Sequence, residues 1–463
     1  MKTSLEAFTE RRCLWAILAF AFVVRLGWVC THDVKDFDEY WEIVTHLLAG
    51  RGFALPEDGR IAASNIRVPL YPLLLAAITW LGGSWKFIGV LQAALSAATC
   101  GYAHGIGKHL FGARAGLLAA ALVACDFPLI VMTGWLLTET LYVFLLGGIV
   151  YWVVTGAWQT QRGAILIGLF AGAACLTRSE AWLYLVLLLG VVLFFQLKQR
   201  GNLFHRRGAE ATQSSAESFL PPRISARSLR LCGEKALLAC VIAVLCVTPW
   251  LLRNHFVLGQ TAMSEPMLLD FNLYRGLTDI RGDAKDYGFD FYLALRRNRS
   301  YFDGRRLEEP GVRAEIRSRL VNEWQQLIRT QPLRVLQKRL YNLYVLWIYR
   351  GGFYVTESIG LGEAWRAHNF ADLIRKAFFY LGLSVAPLAL ALWGTWRAGW
   401  RKDLALLWLY PLTITLLMIP LWADYRYGLP AHVMLAPLIA RSLKIRAKPS
   451  RRRNVLVSLA QRR

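Results

Sequence analysis

The chain has 463 residues, of which 56% are hydrophobic, with 18 Trp and 18 Tyr; this is too apolar for an ordinary water-soluble enzyme and suits a bundle of helices in lipid. Its formal charge of +23 raises the question of nucleic acid, but most of the excess falls on inferred cytoplasmic loops and on the tail. There the positive-inside rule and anionic headgroups account for it, so membrane lipids are the expected partners and nucleic acid is not. The eight cysteines lie mostly inside apolar runs (Cys100, Cys125, Cys175, Cys240, Cys246) and show neither paired metal spacing nor a disulfide framework.

Taken in chain order, runs long enough, or nearly so, to cross a ~30 Å hydrocarbon layer give about ten spans. Cys13 to Cys30 follows Arg11-Arg12 and runs into Thr31-His32-Asp33 with no small-residue cleavage site, so it reads as an uncleaved first span with a cytoplasmic N-terminus. Residues 31–86 form a first outer loop with interfacial helices. Phe87 to His104 returns to the basic stretch Lys108 to Arg114; Ala115 to Met132 goes out, and Trp135 to Val154 comes back to Gln159 to Arg162. Gly163 to Thr177 exits and Ala181 to Leu197 re-enters. The strongly basic segment Lys198 to Lys235 is then cytoplasmic, as the rule requires; its Ser, Gln, Pro and Glu around Ala211 to Pro222 predict a mobile loop. Ala236 to Leu252 leaves again.

Residues 253–376 read as an extracytoplasmic insert. Ile316, Leu320, Trp324, Leu327 and Ile328 recur at helical spacing and predict an amphipathic helix, and the short aromatic run Tyr341 to Tyr349 predicts an interfacial one. Ala377 to Trp396, Leu404 to Leu421 and Gly428 to Ala440 close the bundle before a basic cytoplasmic tail, residues 443–463. The expected fold is an all-α polytopic membrane protein: a transmembrane module over 1–252, the insert over 253–376 and the last spans over 377–442. The predicted location is the plasma (inner) membrane, with both termini inside.

This parity gathers Asp33, Asp36, Asp38, Glu39, Arg67, Glu139, Arg178, Glu180, Arg253, Asp424 and Arg426 on the outer face. Ionisable residues ringed at one membrane surface suit a site fed from lipid. Carboxylates with arginines suit the transfer of a sugar from a lipid phosphate to a hydroxyl: an Asp takes the acceptor's proton, and Arg, a planar phosphate-matching cation, steadies the departing phosphate. Each residue also has a plainer reading. Asp36 with Glu39 is a capping box for the run starting at Tyr40, and Glu139 is a helix-start carboxylate. Arg178 can pair with Glu180, Arg67 and Arg426 can grip headgroups, and Arg253 beside Pro249-Trp250 is an interfacial arginine. Arg25, inside the first span, snorkels or pairs within the bundle. His32 and His46 have no second ligand at metal spacing, and neither a phosphate-cradling glycine loop nor His-centred triad spacing is present.

The motifs, in order, carry a resemblance. Asp36-x-x-x-Tyr40, Leu47-Leu-Ala-Gly-Arg-Gly-Phe53 and Arg67-x-Pro-x-Tyr71-Pro72 are followed by Leu137-Thr-Glu139, Leu176-Thr-Arg178-x-Glu180, Pro249-Trp-x-x-Arg253-Asn254 and Tyr425-Arg426-Tyr-x-x-Pro430. This series resembles the GT-C superfamily of polyprenyl-phosphate-sugar-dependent membrane glycosyltransferases, of the protein mannosyltransferase and aminoarabinose transferase type. The resemblance implies a GT-C type bundle whose catalytic base is the first-loop Asp36, with Asp38 beside it as the alternative. It implies substrate-binding roles for Glu39, Arg67, Tyr71, Glu139, Arg178, Arg253 and Arg426. The implied donor is a polyprenyl-phosphate-linked sugar and the acceptor a glycolipid, glycan or protein hydroxyl, with inversion at the anomeric carbon. No metal or other cofactor is implied, although a divalent metal is compatible with the carboxylates. The Trp-Trp-Asp-Tyr-Gly motif of oligosaccharyl transferases is missing, and Trp422-Ala-Asp-Tyr echoes it in the wrong place, so en bloc transfer to Asn is not expected. Two rivals remain: a transporter or flippase of a lipid-linked sugar, which should show related halves or a broken helix pair, and a non-catalytic assembly subunit.

Overall fold

The structure is a computed structural model and describes residues 2–36, 40–57, 60–195, 224–266, 268–269, 272–273, 276, 311–348, 361–399 and 401–443. The expected loop at Ala211 to Pro222 and the basic tail lie outside the described residues.

The chain opens with α1 (Lys2–Thr31), the short strand β1 (Lys35–Asp36) and α2 (Tyr40–Leu48), then a hairpin of β2 (Ala54–Glu57) and β3 (Arg60–Ala63). Helices α3 (Leu70–Trp80), α4 (Trp85–Phe111), α5 (Ala113–Ala124) and α6 (Phe127–Val131) follow, and β4 (Trp135–Leu136) leads into α7 (Glu139–Val154). Next come α8 (Gln161–Thr177), α9 (Ala181–Phe195) and α10 (Ile224–Leu258). In the predicted insert stand α11 (Val312–Thr330) and α12 (Pro332–Trp347), with α13 (Leu361–Arg366) and α14 (Phe370–Ala377) after them. Helix α14 continues through a π-helical segment, Phe378–Val385, into α15 (Ala386–Ala398); α16 (Lys402–Met418), a 3-10 turn (Tyr425–Gly428) and α17 (Leu429–Leu443) end the described chain.

Among the described residues three helical stretches are individually long and apolar enough to cross a membrane: Glu6–Thr31, Gly233–Leu258 and Phe370–Ala398. A fourth is the pair Ala113–Ala124 and Phe127–Gly134, bent by 54° at its break. Four other apolar helices, including α7 and α8, are shorter; they complete a bundle around an interior to which α7 contributes most of its residues. Close helix approaches rest on small residues, as expected where lipid removes the hydrophobic drive between helices. A Cβ on Gly168 of α8 would stand 2.7 Å from the Ala239 carbonyl oxygen of α10, and one on Gly172 would stand 2.5 Å from Cys246 Cβ.

The contacts also order the helix ends. Gly168 and Gly172 meet Ala239 and Cys246 in the same sequence direction, so α8 and α10 run parallel. Near the start of α1, Glu10 bridges His104 and Lys108 near the end of α4, at 3.0 and 2.8 Å, so these two run antiparallel. Both arrangements agree with the alternation read from the loops.

Five expectations change. The span Ala115 to Met132 is broken, because Asp126 caps a new helix by accepting from the Leu129 amide at 3.1 Å, with Pro128 in the first turn. The span from Trp135 begins instead as a strand, and helix starts only at Glu139. The last part of the predicted loop Lys198 to Lys235 is helical, since α10 starts at Ile224. The helix predicted at Tyr341 begins at Pro332, a residue suited to a first turn. The chain is also not purely helical: besides the β2–β3 hairpin, β1 pairs in parallel with β4, Asp36 opposite Leu136. The amphipathic helix expected over Ile316 to Ile328 lies within α11.

Arg25 is fully buried. It donates to Ser96 Oγ at 2.7 Å and to the carbonyls of Ala21, Val123 and Ala124 at 2.9 to 3.1 Å. Of the two sequence readings, pairing within the bundle is the one observed: the guanidinium covers carbonyls that the break in α5 leaves without helical partners, at the negative end of that helix. Helix α12 treats the end of α16 similarly. Arg339 donates to the Ile419 and Pro420 carbonyls at 2.8 and 2.9 Å, and Asn342 to Leu421 at 2.8 Å.

Candidate active site

The β1–β4 pairing ties the first loop to the residues just before α7, with Asp36 opposite Leu136, three residues before Glu139. Asp36 Oδ2 accepts from the Trp41 amide at 3.0 Å, capping α2. The Asp36 half of the expected capping box is thus in contact with the first turn of α2, while its Glu39 half lies outside the described residues; the contact anchors the carboxylate without excluding chemistry. Behind it, Gln92 of α4 donates to the carbonyls of Thr133 and Trp135 at 3.1 and 2.9 Å and accepts from the Tyr71 hydroxyl at 2.9 Å. Tyr71 stacks edge-on to Tyr40, 5.1 Å between centroids, and the Arg67 guanidinium lies 5.3 Å from the Tyr40 ring. Burial pushes the Tyr71 phenol well up, and Tyr40, Glu139 and Asp36 push it the same way. Both acidic residues thus bear on one phenol. With its hydroxyl on Gln92, Tyr71 fastens α3 to β4. Asp38 and Glu39 lie outside the described residues.

The second half of the site gathers around Glu139, the buried first residue of α7. Its Oε1 stands 2.9 Å from Arg178 Nη1 and 3.5 Å from Arg426 Nε. Arg178 also reaches Glu180 at 2.6 Å and stacks over Tyr427, 4.6 Å from its centroid. Desolvation works against the Arg178 charge, but Glu180 and Glu139 more than offset it and hold the guanidinium well above its ordinary range. Arg426 has longer ion-pair distances, with Asp424 at 4.0 Å. Asp424 caps the turn carrying Arg426 through the Arg426 amide at 3.1 Å. Thus Glu139, Arg178, Glu180, Asp424 and Arg426, from three distant parts of the chain, form one cluster.

Arg253 is not in it. Its guanidinium donates to the carbonyls of Phe53 and Ser64 at 2.8 and 2.9 Å and to Asn254 Oδ1 at 2.9 Å, with the Trp250 ring 5.0 Å away. It pins the β2–β3 hairpin to the end of α10. Asp33 is exposed beside β1.

Sequence reasoning missed Gln92, a polar residue at the centre of the loop packing, and the buried tyrosines Tyr142, Tyr184 and Tyr410. Tyr142 lies under Arg178 at 5.6 Å, and Tyr410 donates to the Tyr427 carbonyl at 2.8 Å. A Gln inside the apolar run Phe87 to Leu95 was the available signal for the first; tyrosines are too common in this chain to single out the others. Among the described residues no group of three His, Cys, Asp or Glu side chains is placed to hold a metal ion.

Residues 67–209 match the family model described as dolichyl-phosphate-mannose-protein mannosyltransferase. No curated protein matches the sequence. Among solved structures, the oligosaccharyltransferase of Archaeoglobus fulgidus tethered with an acceptor peptide containing the NVT sequon is similar over 93% of this chain and 49% of its own, at 11% identity and a TM-score of 0.50. The Archaeoglobus fulgidus AglB in complex with an inhibitory peptide and a dolichol-phosphate aligns over 97% of this chain and 54% of its own, at 12% identity and a TM-score of 0.47. ArnT from Cupriavidus metallidurans bound to undecaprenyl phosphate aligns over 92% and 77%, at 14% identity and a TM-score of 0.35. The chain spans about half the length of the oligosaccharyltransferases it matches. The match over residues 67–209 agrees with the resemblance carried by the loop motifs, and the chain shares its fold with the Archaeoglobus fulgidus oligosaccharyltransferase.

Proposed function

We propose that the protein transfers a monosaccharide from a polyprenyl-phosphate carrier to a hydroxyl acceptor at the extracytoplasmic face of the plasma membrane, with inversion at the anomeric carbon. The observation that supports this reading is the pairing of β1 with β4, in which Asp36 lies opposite Leu136, three residues before the Glu139 that binds Arg178 and Arg426. The donor class is supported by the family matched over residues 67–209, which includes Arg67, Glu139 and Arg178.

In the proposed reaction the acceptor oxygen attacks the anomeric carbon as its proton passes to Asp36. The bond from that carbon to the phosphate oxygen breaks, and the departing polyprenyl phosphate carries the electron pair. Asp36 is already held by the Trp41 amide, so little reorientation is needed. Arg426 and Arg67 take the phosphate charge. Arg178, clasped by Glu139 and Glu180 at 2.9 and 2.6 Å, is spent on holding the cluster together. The second half of the chain, the less recognisable one, chooses the acceptor. Both termini lie in the cytoplasm.

Incubation of purified protein with labelled polyprenyl-phosphate sugars and candidate lipid, glycan and protein acceptors tests this. Transfer to a hydroxyl supports it. Transbilayer movement of the donor without any transfer supports the flippase instead.

A further inference from the structure

Asp126 and His432 lie outside every motif discussed above, yet with Tyr425, the first residue of the Tyr425-Arg426 motif, they form a continuous hydrogen-bonded chain. Asp126 uses one oxygen, Oδ1, to cap α6 through the Leu129 amide, and this fixes the carboxylate. Its other oxygen, Oδ2, is 2.7 Å from Nδ1 of His432 in the first turn of α17, 306 residues away in sequence. His432 Nε2 is in turn 3.0 Å from the Tyr425 hydroxyl, the two rings edge-on with centroids 5.7 Å apart. The carboxylate favours a hydrogen on Nδ1, and the other ring nitrogen meets the Tyr425 hydroxyl, so the imidazole links the Tyr425 turn to the start of α6.

Its position gives it a use. Tyr425 opens the 3-10 turn Tyr425–Gly428 and directly precedes Arg426. That turn is held on its other sides by Asp424, which caps the Arg426 amide, and by Tyr410 on the Tyr427 carbonyl. The Asp126 end is anchored at the α5–α6 break, where Arg25 grips the Val123 and Ala124 carbonyls. A tight turn fixed at three points presents its arginine in one direction, which is what a two-point contact with phosphate needs.

We infer that His432 is a positioning residue: through Tyr425 it aims Arg426, and so governs use of the lipid-phosphate donor. The inference rests on the function proposed above for its kinetic part only. His432→Ala and Tyr425→Phe should each raise the donor KM about tenfold and leave the acceptor KM within about twofold, the scale of one lost hydrogen bond to an arginine-bearing turn. In the Arg426→Gln background, adding His432→Ala should change the donor KM by less than about twofold, because groups acting through one residue are not additive. Tyr425→Phe removes a single hydroxyl and keeps the comparison sound if His432→Ala folds poorly.

A second readout needs no donor. The rate at which phenylglyoxal modifies Arg426, followed by mass spectrometry, should rise at least about threefold in His432→Ala and Tyr425→Phe, since a freed turn exposes its guanidinium. It should not change in His104→Ala, at the other end of the bundle. An unchanged Arg426 rate in both variants, or a His432→Ala effect that multiplies fully with Arg426→Gln, overturns the inference. If Arg426 reactivity rises while the wild-type protein neither transfers sugar nor binds polyprenyl phosphate, the positioning role stands and the proposed function falls.

Discussion

The three arginines near the acidic cluster differ in what already holds them, and this predicts different costs for their loss. Arg178 is buried between two carboxylates at 2.6 and 2.9 Å. Arg178→Ala takes the nearest partner from the buried Glu139 and from the half-buried Glu180 and should destabilise the protein by about 3 kcal/mol, visible as a lower midpoint of thermal unfolding in detergent. Arg426 stands farther from Glu139 and Asp424, at 3.5 and 4.0 Å. Its replacement by Gln should leave folding nearly intact and weaken donor use tenfold to a hundredfold, corresponding to about 1.5 to 3 kcal/mol for one charge-assisted contact. Arg67→Gln should do the same. Lys at 426 should rescue only in part, because an ammonium restores charge without the planar fork. Kinetics with donor and acceptor varied separately decide this; a change confined to the acceptor KM removes both arginines from the phosphate site.

At the scale of elements, the break between α5 and α6 turns the chain so that Asp126 faces α17, and Arg25 closes the exposed end of α5. Arg25→Gln should cost about 2 to 4 kcal/mol, from several contacts each worth ~0.6 to 1.5 kcal/mol, and Arg25→Lys should recover part of it. Thermal unfolding of the two variants beside wild type measures the effect; an unchanged midpoint in both contradicts a capping role. The same region shows what sequence can and cannot tell. The apolar runs and the alternation of basic loops are visible from Arg11-Arg12 onward because hydrophobicity and charge act locally. Asp126 and Pro128 stand at helix-start spacing, inside an apolar run that reads as continuous. What Arg25 does depends on carbonyls 98 and 99 residues away, and such partners leave no local trace. So it is with the site: its acidic and basic members are legible as motifs, whereas Arg253 proves to be a clamp on the hairpin, and Gln92 becomes visible only when α3, α4 and β4 meet.

At the scale of the whole molecule, the helices run so that Glu10, His104 and Lys108 gather near one end of the bundle while Glu139, Arg178 and Arg426 gather toward the other. The proposed orientation puts the second end outside. Single cysteines in the loop between Asp33 and Arg67 should react with an impermeant thiol reagent added externally, and one at Gly208 should react only after permeabilisation; external labelling at Gly208 reverses the orientation. The whole account then comes to whether this end of the bundle performs base-assisted transfer. Asp36→Asn keeps an oxygen for the Trp41 amide and removes the base. Its turnover and its binding of a polyprenyl-phosphate sugar, measured beside wild type, test the claim most directly. Lost transfer with donor binding retained is the result predicted; transfer at the wild-type rate would contradict it.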